Sequence, residues 1–126
     1  MAVLGTGVTC TALSVPLADN GHDVRLVGTH LDREIIDSIK TSSVHPSLNR
    51  ELPMSVKAYQ LEEASEAFAG AEIVVSGVNS FGVRWAGERL AELLPDTALV
   101  ITIAKGLEAG ADGELRILTE VLTESW

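Results

Sequence analysis

Residues 1–10 read MAVLGTGVTC, and this stretch decides how the chain begins to fold. The apolar run Met1–Leu4 has the character of a short buried strand, and it stops at Gly5. A strand followed at once by G-x-G and a helical pattern is typical of a dinucleotide-binding fold, although Cys10 replaces the third glycine of that fingerprint. Glycines here allow a tight turn and let backbone amides approach a diphosphate at a helix N-terminus. The stretch therefore predicts a nucleotide site at Gly5, Thr6, Gly7, Val8, Thr9 and Cys10; the alternative is a structural glycine pair in a turn.

The rest of the chain alternates β-rich runs with helical patterns. Further strands are predicted at Asp23–Val27, Met54–Tyr59, Glu72–Val78 and Ala98–Ala104. Helices are predicted at Thr9–Asn20, from Thr29 onward, at Leu61–Ala69, at Ser80–Leu94 and after Asp112. Strands separated by helices form βαβ units, which produce a parallel sheet with right-handed crossovers. The predicted fold class is α/β, a Rossmann-like parallel sheet with helices on both faces.

Several details of the pattern make narrower predictions. Leu13 and Leu17 should form the inward face of the first helix, and Gly21 should end it in a left-handed conformation. The final helix should carry Leu115, Leu118 and Leu122 on one stripe.

Three further segments carry specific expectations. Thr29-x-x-Asp32 is typical of a capping box that opens the second helix. The polar stretch Thr41–Pro53 shows no period and predicts a long loop, of the kind that is often functional. The continuous apolar run Ala98–Ala104 predicts a strand covered on both faces.

Composition excludes several classes of function. The 126 residues carry 9 Lys and Arg against 18 Asp and Glu, a net charge of -9, which argues against a nucleic-acid partner. The single cysteine excludes an internal disulfide, and the three scattered histidines predict no metal site. No apolar run reaches the roughly 18 residues of a membrane helix, and no basic n-region is followed by the apolar h-region of a secretory signal. A cytoplasmic protein without a membrane span is the expectation.

Ligands of such sheets bind beyond the carboxyl ends of the strands, so the residues there are site candidates. Thr29 and His30 follow the second strand, whose tip shows no carboxylate of the kind that binds the ribose of NAD. With Arg33 nearby, these residues favour NADP or dual use, although His30 in an exposed loop without a function is an equal alternative.

Other candidates follow the fourth and fifth strands. Asn79 and Ser80 can line the nicotinamide side of a cofactor, and Ser80 is the predicted N-cap of the next helix. Lys105 can pair with a phosphate or polarise a carbonyl group; the alternative is a solvated lysine. Cys10 and Trp85 are expected to be packing residues rather than a reactive thiol and a stacking platform.

Several pieces of sequence match one family in chain order. They are Val3-Leu4-Gly5-Thr6-Gly7, Thr11-Ala12-Leu13, Leu17–His22, His45-Pro46-x-Leu48, Leu52-Pro53 and Lys105-Gly106-Leu107-Glu108. In these pieces, which extend along nearly the whole chain, the sequence resembles the N-terminal domain of NAD(P)-dependent glycerol-3-phosphate dehydrogenase. The Lys105 tetrapeptide is the most specific of them.

The resemblance implies reversible hydride transfer between sn-glycerol 3-phosphate and dihydroxyacetone phosphate, with NADP or NAD as cofactor, in glycerophospholipid metabolism. It assigns the cofactor diphosphate to Gly5–Cys10, adenosine contacts to Thr29 and His30, and contacts with both cofactor and substrate to Lys105. A homodimer is one assembly that it allows.

The sequence also departs from the family's pattern. Thr9-Cys10 and Asn79 differ from the residues that the family commonly has in the cofactor pocket. The family's catalytic lysine, in an Asn-x-x-Lys-Asn motif, belongs to a helical second domain that residues 1–126 lack, so no catalytic residue is predicted here. The domain is expected to bind cofactor without turnover. Alternatives are a stand-alone nucleotide-sensing module, or the first half of another two-domain dehydrogenase such as ketopantoate reductase.

Overall fold

The computed structural model describes all residues, 1–126. Its strands are β1 (Ala2–Leu4), β2 (Arg25–Val27), β3 (Val44–His45), β4 (Arg50–Glu51), β5 (Lys57–Tyr59), β6 (Ile73–Ser76), β7 (Leu99–Thr102), β8 (Leu107–Ala109) and β9 (Leu115–Ile117). Its helices are α1 (Val8–Asp19), α2 (Arg33–Ser42), α3 (Ala64–Phe68), α4 (Val83–Leu93) and α5 (Leu118–Thr123). Short 3-10 turns at Leu61–Glu63 and Ser80–Gly82 precede α3 and α4.

Five of the strands form one parallel sheet in the order β5-β2-β1-β6-β7. This order confirms the predicted α/β class and Rossmann-like topology. The chain moves outward in one direction from β1 through β2 to β5, and then in the other direction through β6 to β7. The reversal lies between β1 and β6, and a crevice opens at such a point beyond the carboxyl ends of the two strands.

Helices cover both faces of the sheet, as predicted. Side chains alternate along each strand, so Leu4 faces a cluster with Phe68 of α3 and Leu90 of α4. Val3 faces the opposite cluster, where Cys10 of α1 and Ile39 of α2 pack. The central strand β1 is buried on both sides and holds the residues that follow it in a fixed position.

The predicted leucines of the first helix pack against the core, but smaller residues lie deepest in its buried face. Its fully buried residues are Cys10, Thr11 and Ser14, while Leu13 and Leu17 are only partly buried. Small side chains on the inward face let α1 approach the sheet closely, which hydrophobicity alone does not signal. Gly21 follows the helix with φ +86, the left-handed conformation that the sequence predicted.

The stretch Thr41–Pro53 is more structured than the predicted loop. Helix α2 extends into it as far as Ser42, and β3 and β4 form an antiparallel hairpin. The hairpin residues pair too briefly to leave a periodic signal. The imidazole of His45 in this hairpin accepts hydrogen bonds from two backbone N–H groups of the turn.

The last part of the chain also differs from the prediction. β7 is an edge strand, and Leu99 and Ile101 on one of its faces are 61% and 45% exposed. Val100 on the other face packs against the core, so the strand is covered on one face and not on both as expected. The start of the predicted helix after Asp112 is the turn and second strand of the β8–β9 hairpin, so Leu115 lies in β9 and the helix begins only at Leu118. Gly113 has φ +82 in the hairpin turn, which interrupts any helix there.

None of the helices combines the length and the apolar character that crossing a bilayer requires.

Candidate functional site

Two adjoining clefts lie at the carboxyl ends of β1 and β6 and share four lining residues, Gly7, Gly77, Val78 and Asn79. The first, of about 530 Å³, is lined among others by the predicted residues Gly5, Thr6, Gly7, Thr29, His30 and Asn79. The second, of about 340 Å³, is lined by the remaining predicted residues Val8, Thr9, Cys10, Ser80 and Lys105. The fold thus brings every predicted site residue to one edge of the sheet.

The turn after β1 is held tightly against the turn after β6. Gly5 has φ +104, donates its N–H to the Val27 carbonyl at 2.7 Å, and would place a Cβ 3.1 Å from the Gly77 carbonyl group. Gly77 is equally confined, since a Cβ there would overlap the Cys10 Sγ. Both glycines are required by the fold itself.

Gly7 differs from these two glycines. Its φ is -62, and a Cβ would meet nothing within 4 Å. The N–H groups of Gly7, Val8, Thr9 and Cys10 make no hydrogen bond within the chain. They lie at the N-terminus of a 12-residue helix, where the helix dipole favours negative charge. This end of α1 therefore fits an anionic group such as a diphosphate, with open space where a side chain at position 7 would be.

Two side chains from distant parts of the chain hold Thr6, the central residue of the turn. The Asp32 Oδ2 accepts a hydrogen bond from the Thr6 N–H at 3.4 Å. The His45 Nε2 lies 2.8 Å from the Thr6 carbonyl oxygen. Neither residue was among the predicted site residues. Their sequence signals are the Thr29-x-x-Asp32 spacing and, for His45, a place in the polar stretch and in the piece His45-Pro46-x-Leu48 that matches the family.

The tip of β2 carries a carboxylate, contrary to the prediction. The Asp32 Oδ2 also accepts from the Thr29 N–H at 2.8 Å and from the Thr29 Oγ1 at 2.9 Å. These bonds make residues 29–32 a closed turn, so α2 begins at Arg33 and Thr29 is not its N-cap. The turn brings Asp32 into the first cleft.

Two rings meet in the first cleft. His30 and Trp85 are arranged edge to face, with centroids 5.5 Å apart and planes at 66°. Trp85 also packs against the core, so the packing prediction holds for only part of the ring. Aromatic faces at a cleft are suited to contact with a flat base.

A third depression, of about 310 Å³, adjoins Thr29 and His30 and is lined in addition by Arg33 and Arg89. The Arg33 guanidinium is already paired with Glu62, with nitrogen–oxygen distances of 2.9 to 3.0 Å. The Arg89 Nε is buried without a hydrogen-bond partner. A 2′-phosphate at this place would meet positive charge, but it would compete with Glu62 for Arg33.

The turn after β6 corrects one prediction. The Asn79 Oδ1 accepts hydrogen bonds from the N–H groups of Phe81 at 3.1 Å and Gly82 at 3.2 Å, so Asn79 is the cap and Ser80 lies inside the turn. Lys105 is exposed beyond β7 and borders the second cleft, which Gly7 also lines.

Cys10 is a packing residue, as predicted. It is 1% exposed, and burial raises the pKa of its thiol to about 11. A thiol with this pKa is protonated at neutral pH and is a poor nucleophile. Its place against Gly77 instead fixes the start of α1 relative to β6.

Comparison with known proteins gives a consistent result. The sequence model of the family described as NAD-dependent glycerol-3-phosphate dehydrogenase N-terminus matches residues 1–126. The NADP(+)-dependent glycerol-3-phosphate dehydrogenase of Archaeoglobus fulgidus is 39% identical over 107 residues, which cover 85% of this chain and 31% of that protein. The glycerol-3-phosphate dehydrogenase [NAD(P)+] of Corynebacterium aurimucosum is 33% identical over 125 residues, which cover 99% of this chain and 36% of that protein.

A solved structure agrees with these relatives. The crystal structure of glycerol-3-phosphate dehydrogenase from Coxiella burnetii superimposes with a TM-score of 0.84 at 27% identity, covering 98% of this chain and 36% of that one. The chain spans about a third of the length of the curated relatives that it matches. Because the family model covers the whole chain, the chain belongs to the NAD-dependent glycerol-3-phosphate dehydrogenase family and corresponds to its N-terminal part.

Proposed function

We propose that this chain is the dinucleotide-binding domain of a glycerol-3-phosphate dehydrogenase, which exchanges a hydride between sn-glycerol 3-phosphate and dihydroxyacetone phosphate. The observation that carries the proposal is the set of unpaired N–H groups at Gly7–Cys10, which lies at the reversal point of a parallel sheet. The family match over the whole chain favours it over a sensing module or a ketopantoate reductase.

Each predicted residue has a proposed role in cofactor binding. The turn Gly5–Cys10 binds the diphosphate, while Thr29 and His30 contact the adenosine, together with Asp32 and Trp85. Asn79 and Ser80 line the nicotinamide side. Lys105 approaches both the nicotinamide end and the substrate, to which its ammonium offers a positive charge.

When bound, NAD or NADP supplies the nicotinamide carbon that accepts or donates the hydride. The residues of this chain bind and orient that group. None of them is proposed as the acid that protonates the substrate oxygen, so the domain is expected to bind cofactor without turnover. The proposal includes a cytoplasmic location. It also includes a homodimer, and Leu99 and Ile101 on the edge strand β7 offer an exposed apolar face for that contact.

The direct test is a titration of the 126-residue chain with NADH and NADPH, followed by the fluorescence of the reduced nicotinamide. We expect saturable binding of at least one of the two. Circular dichroism on the same sample establishes that the chain is folded. A folded chain that binds neither nucleotide contradicts the proposal.

The preference between the two nucleotides depends on Asp32 and Arg33. Arg33→Ala removes a charge that faces a 2′-phosphate, and we expect it to weaken NADPH binding about tenfold with little effect on NADH. Asp32→Asn lowers the negative charge beside the ribose, and we expect it to weaken NADH binding more than NADPH binding. Kd values for both nucleotides measured on both variants check this. A parallel change of the two Kd values in each variant contradicts it.

A further inference from the structure

We infer that His45 is a positioning residue for the diphosphate site: it fixes the Thr6–Gly7 peptide so that the Gly7 N–H faces the cleft. The inference rests on the proposed function, because it concerns how the chain holds a dinucleotide. It gives a role in binding to the β3–β4 hairpin, which contributes no strand to the main sheet.

The hydrogen bonds of His45 define the position of its ring proton. Its Nδ1 accepts from the backbone N–H groups of Ser47 at 3.1 Å and Leu48 at 3.3 Å. An imidazole nitrogen that accepts hydrogen bonds carries no proton, so the proton lies on Nε2. The Nε2–H therefore donates to the Thr6 carbonyl oxygen at 2.8 Å. His45 is 1% exposed, so water does not compete for this bond.

The Thr6 carbonyl and the Gly7 N–H belong to one peptide unit, so a bond that fixes the carbonyl also fixes the direction of the N–H. A trans peptide is planar, and its C=O and N–H point in opposite directions. When His45 holds the Thr6 carbonyl oxygen on the buried side, the N–H of Gly7 must point the other way, toward the cleft that Gly7 lines. The Thr11 Oγ1 also donates to this carbonyl, but at 3.2 Å and from a hydroxyl that can rotate. His45 is the shorter and more rigid of the two restraints.

The restraint matters because Gly7 has no side chain, and its one backbone bond, from the Thr11 N–H to the Gly7 carbonyl oxygen at 3.0 Å, is made by the next peptide unit and not by the Thr6–Gly7 peptide. Its missing side chain leaves open space, and glycine rotates freely about its backbone bonds. Without the bond from His45, the Thr6–Gly7 peptide can turn, and the N–H must then be reoriented when a nucleotide binds. A donor held in place beforehand avoids that cost.

Two substitutions separate this role from a purely structural one. In His45→Asn, the shorter amide can still accept from the Ser47 N–H, as asparagine commonly does in turns, but it falls short of Thr6. In His45→Gln, the longer amide can donate to the Thr6 carbonyl but loses the contacts in the turn. We expect His45→Asn to raise the Kd for NADH and NADPH about tenfold, and His45→Gln to raise it less than about threefold.

The measurements are the Kd values, the thermal midpoints and the backbone amide chemical shifts. In His45→Asn, the Gly7 amide shift should move, because its peptide is no longer held by residue 45, while the amide shifts of β4 stay in place. Leu52→Val is the matched control, because Leu52 is buried at the end of the hairpin and its apolar side chain cannot hydrogen-bond the Thr6 carbonyl. It should lower the thermal midpoint and leave the Kd values unchanged.

The outcomes distinguish the inference from the proposed function. If the unchanged chain binds and His45→Asn binds equally well, the inference is wrong. It is also wrong if His45→Gln or Leu52→Val loses as much affinity as His45→Asn, since the effect would then follow hairpin stability. If the unchanged, folded chain binds no dinucleotide, the proposed function itself fails.

Discussion

Gly7→Asp should raise the Kd of the chain for NADH and NADPH at least about a hundredfold and leave the fold intact. Two like charges about 4 Å apart repel by about 4 kcal/mol at the effective dielectric constant of a protein surface. Since 1.4 kcal/mol corresponds to a factor of ten, repulsion between the new carboxylate and the diphosphate alone accounts for this loss. Fluorescence titration of the variant measures it.

The fold should tolerate this change for reasons that are local to Gly7. A Cβ at this position meets nothing within 4 Å, and the φ of -62 is ordinary for any residue. Gly7 is the N-cap of α1 and has no side chain to accept from the free N–H groups. Aspartate is a preferred N-cap residue, so the variant should be as stable as the original chain or up to about 1 kcal/mol more stable. Affinity should therefore fall without any loss of stability.

Gly21→Asp is the control for Gly7→Asp. It makes the same substitution, with the same charge, at the far end of α1, about 18 Å away by the rise of a 12-residue helix. That distance exceeds the screening length at physiological salt, so nucleotide binding should not change. Equal loss of affinity in both variants would mean that net charge, rather than the site at Gly7, governs binding. Undiminished binding by Gly7→Asp would contradict the diphosphate site.

The sequence predicts those parts of the site that depend on local order. The strand, the G-x-G turn and the helix of residues 1–19 are contiguous, and short-range conformational preferences are sufficient to predict them. The alternation of strands and helices then determines which ends of the strands meet, because crossovers between parallel strands have one hand. This is why Thr29, Asn79 and Lys105 were all expected at one edge of the sheet.

The parts that were missed depend on contacts between distant residues. Asp32 and His45 reach Thr6 across 26 and 39 positions of sequence, and no periodic pattern records a hydrogen bond of that kind. The expectation for β7 failed for a related reason. An apolar run indicates that a strand can be buried on both faces, but the cover must come from another element, and Leu99 and Ile101 remain largely exposed here.

The second large effect is expected from Gly77→Ala, which should destabilise the chain by about 3 kcal/mol or more and lower its thermal midpoint by roughly 10 °C. The added Cβ would overlap the Cys10 Sγ and lie 3.0 Å from the Leu4 carbonyl oxygen. Neither neighbour can move easily, because Cys10 is buried in α1 and Leu4 is in the central strand. Gly7→Ala is the control, since it adds the same methyl group to open space in the same crevice.

A double-mutant cycle tests whether Cys10 is the cause of this loss. Cys10→Ala removes the overlapping sulfur, although the Cβ of residue 10 stays 3.1 Å from the new methyl group. We therefore expect the double variant to be more stable than the sum of the two single effects predicts, by at least about 1 kcal/mol.

Because Cys10 belongs to the first turn of α1, displacing it also moves N–H groups of the diphosphate site. Gly77→Ala should consequently weaken nucleotide binding even at temperatures where it is folded, and the double variant should recover part of that affinity. Strictly additive stabilities would instead indicate that the Leu4 carbonyl, and not the packing of α1 against β6, sets the limit at position 77.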